Sequence, residues 1–507
     1  MNLTFHLQAR YQFEMRSGSP LLPPLSLEFT LTSSIVAVAV LFACSKPVST
    51  IDLSMFLQMG SWMWTHGRLL EVEPFATAAL GQSYINGTWL SQLVLHGVFL
   101  LGGYPALQLL LGLTVLLTLA TISLLCKPFG PRITVIGTCV AFAFLLQNMA
   151  IRPQMFSFPL FAAILWLLLR HPNHPATPPT LAALMALWTN LHGAFPVAMA
   201  FPAAFAAQAG LEQRLQRPST TGATWQRWVL LGSVMAAATL VNPYGITIYR
   251  YFIENSSLPA TRRLSEWLPP SPSSFLGGRF FLGAAVVTGL LVWKRHRLRL
   301  CDLGLYLVFT VPAFSSQRMI AWWGLVIPTI LGRALAEDRK TVVGTDHGKP
   351  QRLHSWLGWG MIGFWIAMFA ASLPSVLDDR QDDRGDYAGL DDDTPARVVT
   401  YLSEGDGGRM FHRLEWGGYL AFRLWPAYQP FIDIRIWIFS DEVWQQYLSA
   451  SRGDDGWEEL MRRYAIDTLV LCLETQSGLI EAARRASDWT ETYADDQAVV
   501  FVHDPGE

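Results

Sequence analysis

The sequence predicts a mostly α protein, a polytopic transmembrane helix bundle of about eleven spans followed by a small C-terminal extracytoplasmic α/β domain. Three observations predict it. The 507 residues are 51% hydrophobic and 15% charged, with mean hydropathy +0.28, too apolar for an ordinary soluble protein. Apolar runs near span length recur from residue 33 to residue 373, with Lys and Arg gathered in alternate connections. Beyond 373 the composition turns acidic and then reads as soluble.

A helix needs roughly 20 apolar residues to cross the hydrocarbon core, about 17 at the short end. The runs are 33–48, 106–126, 133–148, 153–169, 180–194, 195–210, 228–240, 277–293, 303–314, 319–335 and 355–373. With the N-terminal segment 1–32 in the cytoplasm, the inner connections hold Lys127 and Arg132; Arg170; Arg214, Arg217 and Arg227; Lys294, Arg295, Arg297 and Arg299; and Arg339, Lys340, Lys349 and Arg352. The outer ones hold only isolated arginines, which is the positive-inside pattern. Residues 1–30, with Arg10, Glu14, Arg16 and Glu28, lack the apolar core of a signal peptide, so the first run reads as an uncleaved anchor. Counting 89–102 as a further span would invert every later loop, so it reads as a helix in the outer interface. The expected location is the cell (inner) membrane, multi-pass, with the C-terminal domain outside.

Four stretches lie outside the membrane core. The bundle, 33–373, carries a first outer loop at 50–88, rich in Trp, Phe and Tyr as an interfacial loop would be, and an outer loop at 242–276. An acidic linker, 374–395, includes Asp378, Asp379, Asp382, Asp383, Asp386 and Asp391 to Asp393. In the domain at 396–507, residues 397–403 read as a helix, and 430–433, 468–473 and 498–503 as strands. No internal repeat is visible.

Charge and cysteine usage exclude several classes. A formal net charge of -2, with the basic residues of the bundle in short clusters between apolar runs, carries no nucleic-acid signal. Five cysteines, Cys44, Cys126, Cys139, Cys301 and Cys472, are scattered without metal-ligand spacing, so neither disulfides nor zinc are expected. Nothing in the sequence calls for a cofactor, and no ligand spacing decides for or against a divalent metal.

The polar motifs of the bundle share one end of its segments. Asp52, Arg152, Gln154, Asn190, His192, Asn242, Tyr244, Glu266 and Arg318 all fall at outer ends in this topology, and ionisable groups at a membrane boundary are functional candidates. Asp52 follows the first span and is placed to take a proton from a hydroxyl, or else to cap a helix. Glu73, in Glu71-Val72-Glu73-Pro74, is a second acid or a solvated loop residue. Arg152-Pro153-Gln154 and Gln317-Arg318 present guanidinium forks suited to phosphate, or arginines snorkelling to headgroups. Arg262 and Arg263 precede Glu266-Trp267, where an internal ion pair is the plain alternative. Asn190-Leu191-His192-Gly193 and Asn242-Pro243-Tyr244-Gly245 can hydrogen-bond a sugar or a phosphate oxygen, or simply end their helices. In the tail, Gly417-Gly418-Tyr419 and Phe431 to Arg435 read as structural, with Asp433 and Arg435 able to line a groove.

An Asp just after the first span, a long first outer loop running from Gly60 through Glu73-Pro74-Phe75 to Trp89-Leu90, many spans and an outer α/β tail resemble the GT-C superfamily of integral-membrane glycosyltransferases. Within it the chain is similar to the bacterial branch related to protein O-mannosyltransferases and lipid A aminoarabinose transferases. The resemblance implies transfer of a hexosyl or pentosyl group from a polyprenyl-phosphate donor to a lipid, glycan or protein acceptor on the outer face, with membrane lipids around it. By the same resemblance Asp52 is the general base of an inverting displacement, with Glu73 beside it as a second acidic candidate. Arg152 and Arg318 hold the leaving phosphate, with Gln154, Asn190, His192, Asn242, Tyr244, Arg262 and Glu266 as further substrate contacts. The best-known members carry an Asp-Glu pair where this chain has Asp52 alone. Two other classes fit many spans with interfacial arginines: a transporter or flippase for a lipid-linked sugar, which calls for polar groups at mid-membrane, and a non-catalytic scaffold, which has no use for Asp52 opposite an arginine set.

Overall fold

The computed structural model describes residues 25–257, 265–336, 355–377 and 387–504. The bundle contains α1 (Leu27–Ser45), α2 (Thr50–His66), α3 (Trp89–Cys126), α4 (Pro131–Leu145), α5 (Ser157–Arg170), α6 (Thr177–Leu191), α7 (Ala200–Arg214) and α8 (Trp225–Ala238). It continues through α9 (Thr247–Ser257), α10 (Phe275–Trp293), α11 (Leu300–Ser315), α12 (Ile320–Leu335) and α13 (Ser355–Leu377). The chain is a multi-pass membrane protein whose apolar helices turn Leu101, Leu282, Val292 and Ile366 outward, as lipid-facing surfaces do.

The expectation of eleven spans needs correction. Helices form over all eleven apolar runs, but among the described residues five are both long and apolar enough to cross a membrane, those at Leu27–Ser45, Trp89–Phe129, Pro131–Asn148, Pro153–Arg170 and Phe275–Trp293. Five others, α6, α7, α8, α11 and α12, are only 14 to 16 residues long. The described apolar stretch of α13, Trp356–Ser372, is also short. Hydropathy counted residues that the chain spends on turns, such as the 3-10 segments Phe195–Met199 and Gln317–Met319.

The run 89–102 is helical and continues into the following span as α3, broken only at Gly102 and Gly103, the latter at φ +60°. In the first loop one long helix forms, α2. It packs on α3 at Gly60, where an added Cβ would stand 2.3 Å from the Gln92 carbonyl oxygen.

The tail contains α14 (Ala396–Leu402), β1 (Gly408–His412), α15 (Gly417–Leu424), β2 (Tyr428–Pro430), α16 (Asp441–Ser451), α17 (Trp457–Tyr464), β3 (Thr468–Cys472), α18 (Ser477–Arg485), β4 (Trp489–Ala494) and β5 (Ala498–His503). Its sheet runs β2-β1-β3-β5-β4, parallel from β2 to β3 and antiparallel through β5 and β4. Strand alternation divides the core in two. Met410, Val470, Cys472, Ala498 and Val500 join a cluster continuous with the bundle, while Phe411, Leu469, Leu471, Val499 and Phe501 pack with the tail helices and with Ala76, Ala78 and Ala79 of the first loop.

The first loop and the tail therefore hold each other. Val48 and Leu390 form a bridge, the Thr50 and Thr394 hydroxyls lie 2.9 Å apart, and the Ala78 amide donates to the Phe431 carbonyl at 3.0 Å. Helix α15 lies directly on α2, because Gly418 has no side chain: a Cβ there would be 3.0 Å from the Met55 Cβ and 3.3 Å from the Ile51 carbonyl oxygen. Asp52 sits beside this contact, so the tail sets the position of its helix.

Candidate functional site

Four charged side chains from four separate segments converge. Asp52 lies in the first turn of α2, past the N-cap position, which Ser49 occupies without a side-chain capping bond, so Asp52 is not the cap. A carboxylate there is favoured by the helix's N-terminal partial charge. Arg152 precedes Pro153 and is extended, at φ -155° and ψ 163°, as a residue before proline prefers. That direction sends its guanidinium toward Asp52, whose carboxylate is 3.5 Å away, and Glu266, 3.0 Å away. Glu266 also accepts from Arg318 at 3.1 Å, and the Arg318 guanidinium lies 5.3 Å from the Trp267 ring centroid. Hydrogen bonds from the Ser316 hydroxyl to the Glu266 carbonyl, and from the Gln317 amide to the Leu268 carbonyl, tie the Glu266 turn to the Arg318 turn.

Two carboxylates and two guanidiniums balance in charge, and the group keeps access to solvent. Asp52 sits deep among protein atoms, yet 40% of its side-chain surface is open, as for a group that lines a cavity. Burial raises its pKa above the usual carboxylate range, and Glu266 adds to this, against the opposing pull of Arg152 and Arg318. Burial pushes Glu266 up as well, but Arg318 and Arg152 outweigh it and hold Glu266 below its usual range. The two acids are thus driven apart, one toward a base able to accept a proton and one toward a permanent anion. The Arg152 Nε is buried and has no hydrogen-bond partner. Lys46, which the sequence analysis did not single out, lies within charge range of Arg152 and donates to the Met149 carbonyl at 3.2 Å. Its only signal was its place at the end of the first apolar run.

The remaining candidates divide. His192 follows α6, with Nδ1 2.8 Å from the Ser157 hydroxyl, and the charges acting on its ring are those of Arg318 and Arg152. Gln154 is buried and donates to the Asn148 side-chain oxygen at 3.1 Å, leaving its own oxygen unpaired. Asn190 accepts from the Trp89 indole at 2.9 Å and donates to the Ala186 and Val241 carbonyls, so its amide is fully used inside the protein. Asn242 closes its own turn, donating to the Thr239 and Gly245 carbonyls and accepting from the Tyr244 amide. The Tyr244 hydroxyl accepts from the Asn86 amide at 3.2 Å. These three pin the connections around the site. Arg262 lies outside the described residues.

Glu73 is engaged elsewhere. It is 1% exposed, accepts from the Phe75 and Ala76 amides at 2.8 and 2.7 Å, and pairs with Arg435. Arg435, fully buried, also grips Asp433, with Nε donating at 2.9 Å. The tail arginine and aspartate thus close on the first loop and line no groove. Among the described residues no three His, Cys, Asp or Glu side chains gather to hold a metal ion.

No protein-family model matches the sequence, and no curated protein matches it significantly. Solved structures do match. The apo oligosaccharyltransferase of Archaeoglobus fulgidus superposes with TM-score 0.51 at 11% identity, over 94% of this chain and 74% of that one. ArnT from Cupriavidus metallidurans, bound to undecaprenyl phosphate, gives TM-score 0.51 at 14% identity, over 94% and 97%. A mutant of the mycobacterial arabinofuranosyltransferase AftD gives 0.50 at 16% identity, over 96% of this chain and 42% of that one. At such identities the likeness shows the fold alone, and it is a fold that this multi-pass membrane chain shares with the oligosaccharyltransferase and with ArnT.

Proposed function

We propose that the chain is a membrane glycosyltransferase that moves a sugar from a polyprenyl-phosphate donor to an acceptor hydroxyl on the extracytoplasmic face, with inversion. The observation that carries this reading is the convergence of Asp52, Arg152, Glu266 and Arg318 on one accessible site. Asp52 takes the acceptor's hydroxyl proton as its oxygen bonds to the anomeric carbon, while the bond from that carbon to the phosphate oxygen breaks. A carboxylate with raised pKa is better matched to this work than an ordinary one. Arg152 and Arg318 receive the charge that builds on the leaving phosphate, through forked donors that suit phosphate oxygens. Glu266 holds both guanidiniums in place when no phosphate is bound, and Lys46 adds a further positive charge nearby. Glu73 and Arg435 serve the fold rather than the chemistry. ArnT's bound undecaprenyl phosphate supports a lipid phosphate as the donor's carrier here.

The test is transfer of labelled sugar from a panel of polyprenyl-phosphate sugars, in membranes holding the wild-type chain or Asp52→Asn. Asn preserves the shape and removes the base, so transfer should fall by roughly 100-fold or more. Equal transfer by both removes Asp52 from the mechanism.

A further inference from the structure

Behind His192 stands a buried chain of hydrogen bonds that the charged group does not use. The Trp188 indole donates to the Ser157 hydroxyl oxygen at 2.7 Å, and that hydroxyl lies 2.8 Å from His192 Nδ1. Ser157 and Trp188 are fully buried, while the His192 ring is only partly covered. An indole N–H can only donate, so Ser157 Oγ accepts from it. The serine's own hydrogen then needs an acceptor, and His192 Nδ1 is the only remaining partner of that hydroxyl among the described residues. Were Nδ1 protonated instead, the serine hydrogen would be left without an acceptor in a site closed to water, a cost that buried polar groups avoid. Ser157 therefore donates to Nδ1, and the imidazole's proton is on Nε2. That nitrogen has no partner among the described residues and is not sealed off.

We infer that Trp188 and Ser157 are positioning residues that lock His192 in its Nε2–H form, so that Nε2–H donates to an oxygen of the bound lipid phosphate beside Arg152 and Arg318. This rests on the reading of the site as one for a polyprenyl phosphate. The task suits a histidine: a fixed N–H adds a directed donor where two guanidiniums already stand. Without Ser157 the ring is free to turn or to change tautomer, and it then presents a lone pair to the phosphate.

The experiment uses the full-length chain in lipid nanodiscs, with undecaprenyl phosphate as the probe, and two readouts. The nitrogen NMR signals of labelled histidine, with His192 assigned by its loss in His192→Gln, should show a protonated Nε2 and an unprotonated Nδ1 in the wild type, and a mixture in Ser157→Ala. Binding should weaken about three- to tenfold in Ser157→Ala, the worth of one hydrogen bond, and return to within about twofold of wild type in Ser157→Thr, which restores the hydroxyl. A protonated Nδ1 in the wild type overturns the inference whatever the binding shows. Unchanged affinity in Ser157→Ala, with Arg318→Gln weakened, overturns it while leaving the phosphate site standing. If the wild type itself fails to bind undecaprenyl phosphate, the proposed function fails and this ligand for His192 fails with it.

Discussion

Replacing Arg435 with methionine should uncouple the tail from the first loop. Arg435 is fully buried against two equally buried carboxylates, Glu73 and Asp433, and its guanidinium lies 5.7 Å from both the Phe75 and Tyr84 ring centroids. Removing one partner of a buried ion pair typically costs about 3–5 kcal/mol, because the charge left behind has no solvent. Two features hold the cost toward the lower end. Glu73 keeps its bonds from the Phe75 and Ala76 amides, and Asp433 keeps the bond from the backbone amide of residue 435, since none of these involves the lost side chain. Hydrogen exchange of the full-length chain reads the loss directly at β3 and β5, the central strands of the tail sheet. At about 3 kcal/mol their amides should exchange roughly 100-fold faster if they open with the whole tail. The triple change Arg435→Met, Glu73→Gln, Asp433→Asn buries no charge and should recover most of that protection. Protection within about threefold of wild type in Arg435→Met would refute the reasoning, as would a triple variant no better protected than the single one.

Two further outcomes concern pH. If Asp52 is the base proposed above it must be ionised to act, and burial with Glu266 raises its pKa, so wild-type transfer should fall on the acid side at a pH above that of an ordinary aspartate; in Glu266→Gln this limb should move to lower pH, and a limb that stays put, measured as transfer rate against pH, would separate the two acids. His412, fully buried at the end of β1, is depressed from 6.5 to about 4, chiefly by burial. A group with a depressed folded pKa contributes stability that is complete above 6.5 and lost as pH falls through about 4. The tail should therefore lose roughly 3 kcal/mol across that window, seen as faster exchange of β5 amides, and His412→Gln should flatten that slope.

The apolar runs, the change of composition past residue 373 and the gathering of polar motifs at one end of the runs are local properties, and they were legible along the chain because membrane solvation acts on each segment separately. Strands at 468–473 and 498–503 were visible for a similar reason, being continuous apolar stretches that became the buried β3 and β5. β1 and β4 were missed, because Gly408–His412 is half polar and Trp489–Ala494 is an exposed edge with no apolar signal. Span count failed where a turn interrupts hydropathy without lowering it, as at Phe195–Met199.

Which of the polar residues meet was decided only in three dimensions. Asp52 and Glu73 are 21 positions apart on one loop and look alike in sequence, yet one lines an open charged site and the other is buried under Arg435, 362 residues away. Asn190 and His192 sit two residues apart, and the first is consumed by Trp89 and Val241 while the second bonds Ser157 and lies within charge range of Arg152 and Arg318. Ser157 and Trp188 carried no signal of their own. Sequence alone determined that this is a multi-pass membrane chain with ionisable groups at the ends of its apolar runs, since the cost of exposing a residue to lipid depends on that residue and its immediate neighbours. Pairing depends instead on which charges share a desolvated space, and that space exists only once α2, the turns at Arg152, Glu266 and Arg318, and the tail helix α15 have packed around it.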